Sequence, residues 1–133
     1  YAVRVGGGTN HRMTLKDGAL IKDNHIASVG SLALAVERVR KEFPGSEIEV
    51  EADTIEQVKE ALALKVELIL LDNMSISQTK EAVVLASGSG TRLESSGGLT
   101  LESVAEYAAT GVDFLAVGSL THSAPALDIG LDF

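Results

Sequence analysis

Residues 68–72 read Leu-Ile-Leu-Leu-Asp, four apolar side chains running straight into a carboxylate. A run this short, bounded by polar residues, fits a strand covered on both faces, as in a parallel sheet. The pattern recurs at Ala19–Ile21, Ile48–Val50, around Leu93, and at Phe114–Val117. Glu51, Asp72, Ser96 and Gly118 follow four of these runs, spaced by 21, 24 and 22 residues. Between the runs apolar residues step by three and four, as in Leu32, Ala35, Val36, Val39 and in Ile55, Val58, Ala61, Leu62. That is helical spacing. Thr54, Ser75 and Thr100 occupy N-cap positions, while Pro44–Gly45 and Gly111 sit where helices should stop. Strands alternating with helices predict the α/β class, and a period near 22 residues is that of a β/α barrel. A closed barrel takes roughly 250 residues, so five parallel β/α units predict part of an open, incomplete TIM-like barrel. Ala2–Val5 alternates like a strand yet fits a helix end equally well.

Composition narrows the function. The chain has 133 residues, 45% hydrophobic and 23% charged, which marks a globular rather than a disordered sequence. No stretch approaches the roughly 18 apolar residues of a membrane span, and no signal-peptide pattern opens the chain. With no Cys, disulfides and thiolate metal sites are excluded, which fits a cytoplasmic protein. A net charge of −8 and only three Phe and two Tyr argue against nucleic acid, which needs a basic stripe and stacking surfaces. The chain opens on Tyr1 rather than Met, so it is read as processed or as an excerpt of a longer polypeptide.

Residues 6–26, GGGTNHRMTLKDGALIKDNHI, crowd charges around the run Ala19–Ile21. Unpaired ions away from water are costly, so Lys22–Asp23–Asn24–His25 reads as a strand delivering polar groups to a pocket mouth. Asn10–His11–Arg12 reads as a second arm of that pocket, because a guanidinium fork matches carboxylate or phosphate. Asp23 is expected to orient Lys22 or to pair with Arg12. The blander readings are a solvated loop for Asn10–Arg12 and helix capping by Asp23 and Asn24.

Catalytic groups of such barrels gather at the C-terminal ends of the strands. Lys22, His25, Glu51, Asp72, Asn73, Ser96, Gly97, Gly98, Gly118 and His122 all fall there. Glu51 and Asp72 form a carboxylate pair able to serve Mg²⁺ or sugar hydroxyls. Glu47, Glu49 and Glu51 alternate on one face of their strand, and at least two of them read as ordinary rim charges. Ser95–Gly98 and Val117–Ser119 are small-residue turns that let backbone N–H groups approach a phosphate. Ala86–Thr91 reads as a plain loop.

GGGTNHR, LIKDNHI, IEVEAD, LILLDNM, LESSGG and AVGSLTHSAPALDIGLDF, in this order, resemble the quinolinate phosphoribosyltransferase family across essentially the whole chain. The resemblance implies a partial C-terminal α/β barrel domain over residues 1–133, the N-terminal domain and first barrel strands lying outside this chain. It implies transfer of a phosphoribosyl group from 5-phosphoribosyl-1-pyrophosphate to quinolinate with loss of CO₂, giving nicotinate mononucleotide and pyrophosphate, with Mg²⁺. His11, Arg12 and Lys22 match family positions holding the quinolinate dicarboxylate. Glu51 and Asp72 match those at the ribose hydroxyls and Mg²⁺–pyrophosphate; Lys22, Glu51 and Asp72 are the catalytic candidates. Ser96, Gly97, Gly98, Gly118 and His122 match those around the sugar's phosphates. The family also carries an Arg–Lys pair before the point where this chain begins, and its sites borrow a basic residue from a second subunit. A homodimer or larger homo-oligomer, and an inactive isolated piece, are therefore expected. Two alternatives stand beside this reading: a nicotinate or related pyridine phosphoribosyltransferase, and a non-catalytic phosphate-binding barrel fragment.

Overall fold

A computed structural model describes residues 1–132. Helix α1 (Ala2–Val5) precedes strand β1 (Ala19–Ile21), and α2 (Asp23–Val29) and α3 (Leu32–Glu42) lead to β2 (Ile48–Ala52). Then come α4 (Ile55–Ala63), β3 (Leu68–Asp72), α5 (Ile76–Ala86) and β4 (Arg92–Ser96). Last are α6 (Val104–Ala108), β5 (Phe114–Leu115) and α7 (Ser119–His122). Residues 2–5, open on sequence grounds, are helical.

The five strands are all parallel and lie in the order β1-β2-β3-β4-β5. Right-handed crossovers that always step the same way put every helix on one side of the sheet. That order separates a barrel from a doubly wound sheet, in which the order reverses. The structure is thus five β/α units of an open TIM-like barrel. Strand side chains alternate between faces. Ile48, Val50, Ala52, Ile69, Leu71 and Leu93 point outward and pack with Leu32, Val36, Val58, Ala61 and Ala82 of the helices. Glu49, Glu51, Leu68, Leu70, Asp72, Glu94 and Ser96 occupy the opposite, inner face.

Turn chemistry sets the helix starts. Thr54 and Ser75 begin α4 and α5 with reciprocal capping boxes to Gln57 and Gln78. Each satisfies N–H groups that a first turn leaves free. Thr100 bonds Ser103 reciprocally, but the intervening residues form a turn and α6 starts only at Val104.

Candidate active site

Strand register builds the mouth. Ile21 pairs with Val50, Glu51 with Leu70, and Asp72 with Ser96, so Lys22, Glu51, Asp72 and Ser96 end consecutive strands. The Lys22 ammonium hydrogen-bonds the Glu51 carboxylate across β1 and β2. That bond holds Lys22 above its ordinary pKa; partial burial opposes it, and the charges of Asp72 and Asp23 add to it. Nearby Asp53 is pushed up, first by burial and then by Asp72, Glu51 and Asp23, with Lys22 pulling the other way. One ammonium therefore faces four carboxylates. The mouth is acidic.

Asn73 and Gly97 hold Asp72 in place. Asn73 adopts a left-handed φ of 52°, donates its backbone N–H to Ser96 O at 3.0 Å, and donates Nδ2–H to Asp72 Oδ2 at 2.8 Å. Gly97, at φ 96°, lies directly against Asn73: a Cβ there would stand 2.6 Å from Asn73 Cγ and 2.8 Å from its backbone N. Gly98, at φ 60°, has open space on that side. Tyr107 donates its hydroxyl to Met74 O at 2.9 Å, tying α6 to the same loop. Gly118 and His122 face each other past β5, where a Cβ on Gly118 would meet His122 Nε2 at 3.1 Å.

Other sequence-selected residues lie elsewhere. Arg12 Nη1 donates to Gly18 O at 3.1 Å, just ahead of β1 and therefore at the opposite end from the mouth. Its Nε is buried without a partner. The expected Asp23–Arg12 pair does not form; Asp23 Oδ1 instead accepts the N–H of Asn24 at 2.6 Å. His25 caps α2, its Nδ1 accepting the Lys22 backbone N–H at 3.0 Å. His11 sits on the inner face one layer below the mouth, its Nε2 3.2 Å from Glu49 Oε2 and 3.8 Å from Glu94 Oε2.

Glu49 and Glu94 are each only 5% exposed. Glu49 is not the rim charge its sequence context suggested, because the inner face closes over it. Sequence reasoning missed Glu94, although its place two residues before Ser96 gives it the same facing. Burial, reinforced by the Glu49 charge and offset by His11, raises the Glu94 pKa. The acid-rich donor set at the mouth fits Mg²⁺, a hard cation that takes one or two carboxylates plus substrate oxygens. Glu51 already serves Lys22, which leaves Asp72 the freer ligand.

A family model described as "Quinolinate phosphoribosyl transferase, C-terminal domain" matches residues 1–132. The nicotinate-nucleotide pyrophosphorylase (carboxylating) of Mycobacterium leprae is 58% identical over 134 aligned residues, which cover 99% of this chain and 47% of that protein. A Bacillus subtilis relative, called a probable nicotinate-nucleotide pyrophosphorylase (carboxylating), is 44% identical, covering 99% and 46%. The chain thus spans about half the length of these relatives. The crystal structure of nicotinate-nucleotide pyrophosphorylase from Ehrlichia chaffeensis superposes with a TM-score of 0.92 at 49% identity, covering 99% of this chain and 48% of that one. Thiamine phosphate pyrophosphorylase from Pyrococcus furiosus, 16% identical with a TM-score of 0.66, shares the fold alone. The order of strands, the mouth they build and the match over residues 1–132 agree: this chain belongs to the quinolinate phosphoribosyltransferase family, as its C-terminal domain.

Proposed function

We propose that the polypeptide carrying this chain transfers a phosphoribosyl group from 5-phosphoribosyl-1-pyrophosphate to the ring nitrogen of quinolinate, with loss of the 2-carboxylate as CO₂. The observation that carries this reading is the Lys22–Glu51–Asp72 set at consecutive strand ends, in a chain 58% identical to a carboxylating pyrophosphorylase. As pyrophosphate departs, positive charge grows at the anomeric carbon. Fixed carboxylates at Glu51 and Asp72 stabilise that charge and accept hydrogen bonds from the ribose hydroxyls. Lys22 supplies a donor for the diacid at the mouth and His11 a second from the layer beneath, while Arg12 would have to leave Gly18 O to add its fork. Mg²⁺, held through Asp72 and Glu51, would neutralise the leaving pyrophosphate. Backbone N–H groups around Ser96–Gly98 and Gly118, with His122, take the sugar phosphates. Alkylation makes the ring nitrogen cationic, so the electron pair left by departing CO₂ is stabilised beside it until C2 takes a proton. No side chain acts as a covalent nucleophile; positioning and charge suffice.

Among the described residues no helix is long and apolar enough to cross a membrane. The reading places the enzyme in the cytoplasm as a homodimer or larger homo-oligomer, which light scattering on the full-length protein would test.

The 133 residues alone are proposed to be inactive, since the relatives are about twice as long. A chimera joining this chain to the preceding half of the Mycobacterium leprae relative, assayed with quinolinate labelled at its 2-carboxylate, tests the reading. Labelled CO₂ should appear only with 5-phosphoribosyl-1-pyrophosphate present. A folded chimera that releases none, beside an active parent relative, rejects it.

A further inference from the structure

Asp72 ends β3, and only Asn73 and Met74 separate it from Ser75, the N-cap of α5. Asn73 is fixed from the β4 side, by Ser96 O and by the close approach of Gly97. Met74 is fixed from another direction. Its side chain packs in the core, 2% exposed. Its carbonyl lies one residue ahead of Ser75 O, which accepts the Thr79 N–H and opens the α5 ladder, so helix formation does not pair it. A backbone carbonyl in such a place needs a donor. Tyr107 supplies one: its hydroxyl donates to Met74 O at 2.9 Å, from 33 residues further along the chain. Helix α6 is anchored in turn. The hydroxyl of Thr110, a residue 8% exposed, donates to Tyr107 O at 2.6 Å, and the Thr110 N–H reaches the same oxygen at 3.0 Å. α6 also lies between the Ser96–Gly98 turn and Gly118. A single phenol therefore ties the acid loop to the helix that joins the two small-residue turns.

We propose that Tyr107 is a positioning residue for Asp72: through Met74 O it sets the carboxylate against the Ser96–Gly98 turn, so that one magnesium-bound pyrophosphate ester meets both. The inference rests on the phosphoribosyl-transfer reading and adds to it a residue outside the mouth. Tyr107 touches no substrate; it acts by holding the loop that carries the carboxylate. Placement matters because a charged group displaced by about 1 Å stabilises its target far less well. The effect is selective between the two substrates. Asp72 and the turns belong to β3, β4 and β5, whereas Lys22 and His11, the donors for the diacid, come from the end of β1 and the loop before it. Loosening the Asp72 loop therefore weakens the pyrophosphate ester and spares the diacid.

Tyr107→Phe in the full-length protein tests this beside Thr91→Val as a matched control. Thr91 Oγ1 donates to Val66 O at 2.8 Å just ahead of β4, at the end of the sheet opposite the mouth. Each variant thus removes one hydroxyl-to-carbonyl bond, and both should lower Tm by similar amounts. Only Tyr107→Phe should raise the KM for 5-phosphoribosyl-1-pyrophosphate and the Mg²⁺ concentration giving half-maximal rate, each by roughly fivefold, the value of one neutral hydrogen bond. The KM for quinolinate should stay at the wild-type value. Hydrogen exchange in the metal-free protein reads the loop itself. The segment 70–75, where the Asn73 N–H bonds Ser96 O, should exchange roughly fivefold faster in Tyr107→Phe and at the wild-type rate in Thr91→Val. Wild-type KM values in Tyr107→Phe, equal KM shifts in the two variants, or unaltered exchange over 70–75 would each overturn the proposal. A wild type that released no CO₂ would sink the phosphoribosyl reading instead, and the exchange comparison would still decide whether Tyr107 holds the Asp72 loop.

Discussion

Lys22 on the end of β1 and Glu51 on the end of β2 are joined by an ammonium–carboxylate hydrogen bond, with Asp72, Asp53 and Asp23 close enough to act on the same cluster. Half-exposed Lys22 is screened by solvent, while Glu51 is mostly covered. A double-mutant cycle of Lys22→Met and Glu51→Gln in chemical denaturation should give a coupling of about 1 kcal/mol, the upper range for exposed pairs. In the active chimera Lys22→Met should cost roughly 100-fold in kcat/KM, as expected for losing one preorganised charge. Additive stability effects would show that the pair does not form in solution.

Gly97 and Gly98 give a sharper contrast, because they are adjacent and both left-handed. Gly98→Ala meets nothing and should cost about 1 kcal/mol, the strain of the conformation alone. Gly97→Ala adds a collision with the Asn73 backbone and side chain, so Asn73 must move and Asp72 loses its Nδ2–H donor. We expect roughly 3 kcal/mol or more for Gly97→Ala by urea denaturation. Equal costs at the two positions would contradict the packing described.

Asp17 gives a pH signature. Its carboxylate accepts the backbone N–H groups of Met13 and Thr14, each at 2.9 Å, and the Thr14 hydroxyl at 3.0 Å. The Thr14 N–H, followed by its hydroxyl and by the Met13 N–H, lowers the Asp17 pKa below its ordinary 3.8. A depressed carboxylate pKa stabilises the fold above the unfolded value, and that contribution disappears as pH falls through the folded value. The Met13 and Thr14 amide-proton NMR shifts should titrate together with a midpoint below 3.8 and become pH-independent in Asp17→Asn. A midpoint at or above the ordinary value would remove the turn.

Arg12 separates the pyridine substrates. If its fork serves a diacid, Arg12→Ala should weaken quinolinate binding by roughly 10- to 100-fold, the value of one or two charge-assisted hydrogen bonds. Nicotinate, with one carboxylate, should lose much less. Equal losses by calorimetry would favour the broader pyridine phosphoribosyltransferase reading.

Much of the architecture was legible because hydrophobic spacing announced it. Leu68–Leu71 and Ile48–Val50 emerge as strands, and Leu32, Ala35 and Val36 are the buried stripe of α3. β4 was hardest to see: Arg-Leu-Glu-Ser-Ser carries one large apolar residue, because its inner face is committed to Arg92, Glu94 and Ser96. The mouth residues were found by their position after each run. What stayed hidden depends on three-dimensional closure. Nothing local tells that Glu49 and Glu94 are covered, that His25 turns back to cap its helix, or that Arg12 folds toward the start of β1 instead of its end.

The β1-to-β5 order has a consequence for synthesis. From β2 onward, each strand emerging from a ribosome finds a partner already made, since one of its neighbours in the sheet is its predecessor in the chain. None of β2 to β5 must wait for a segment yet to be translated, which keeps unsatisfied edges short-lived during elongation.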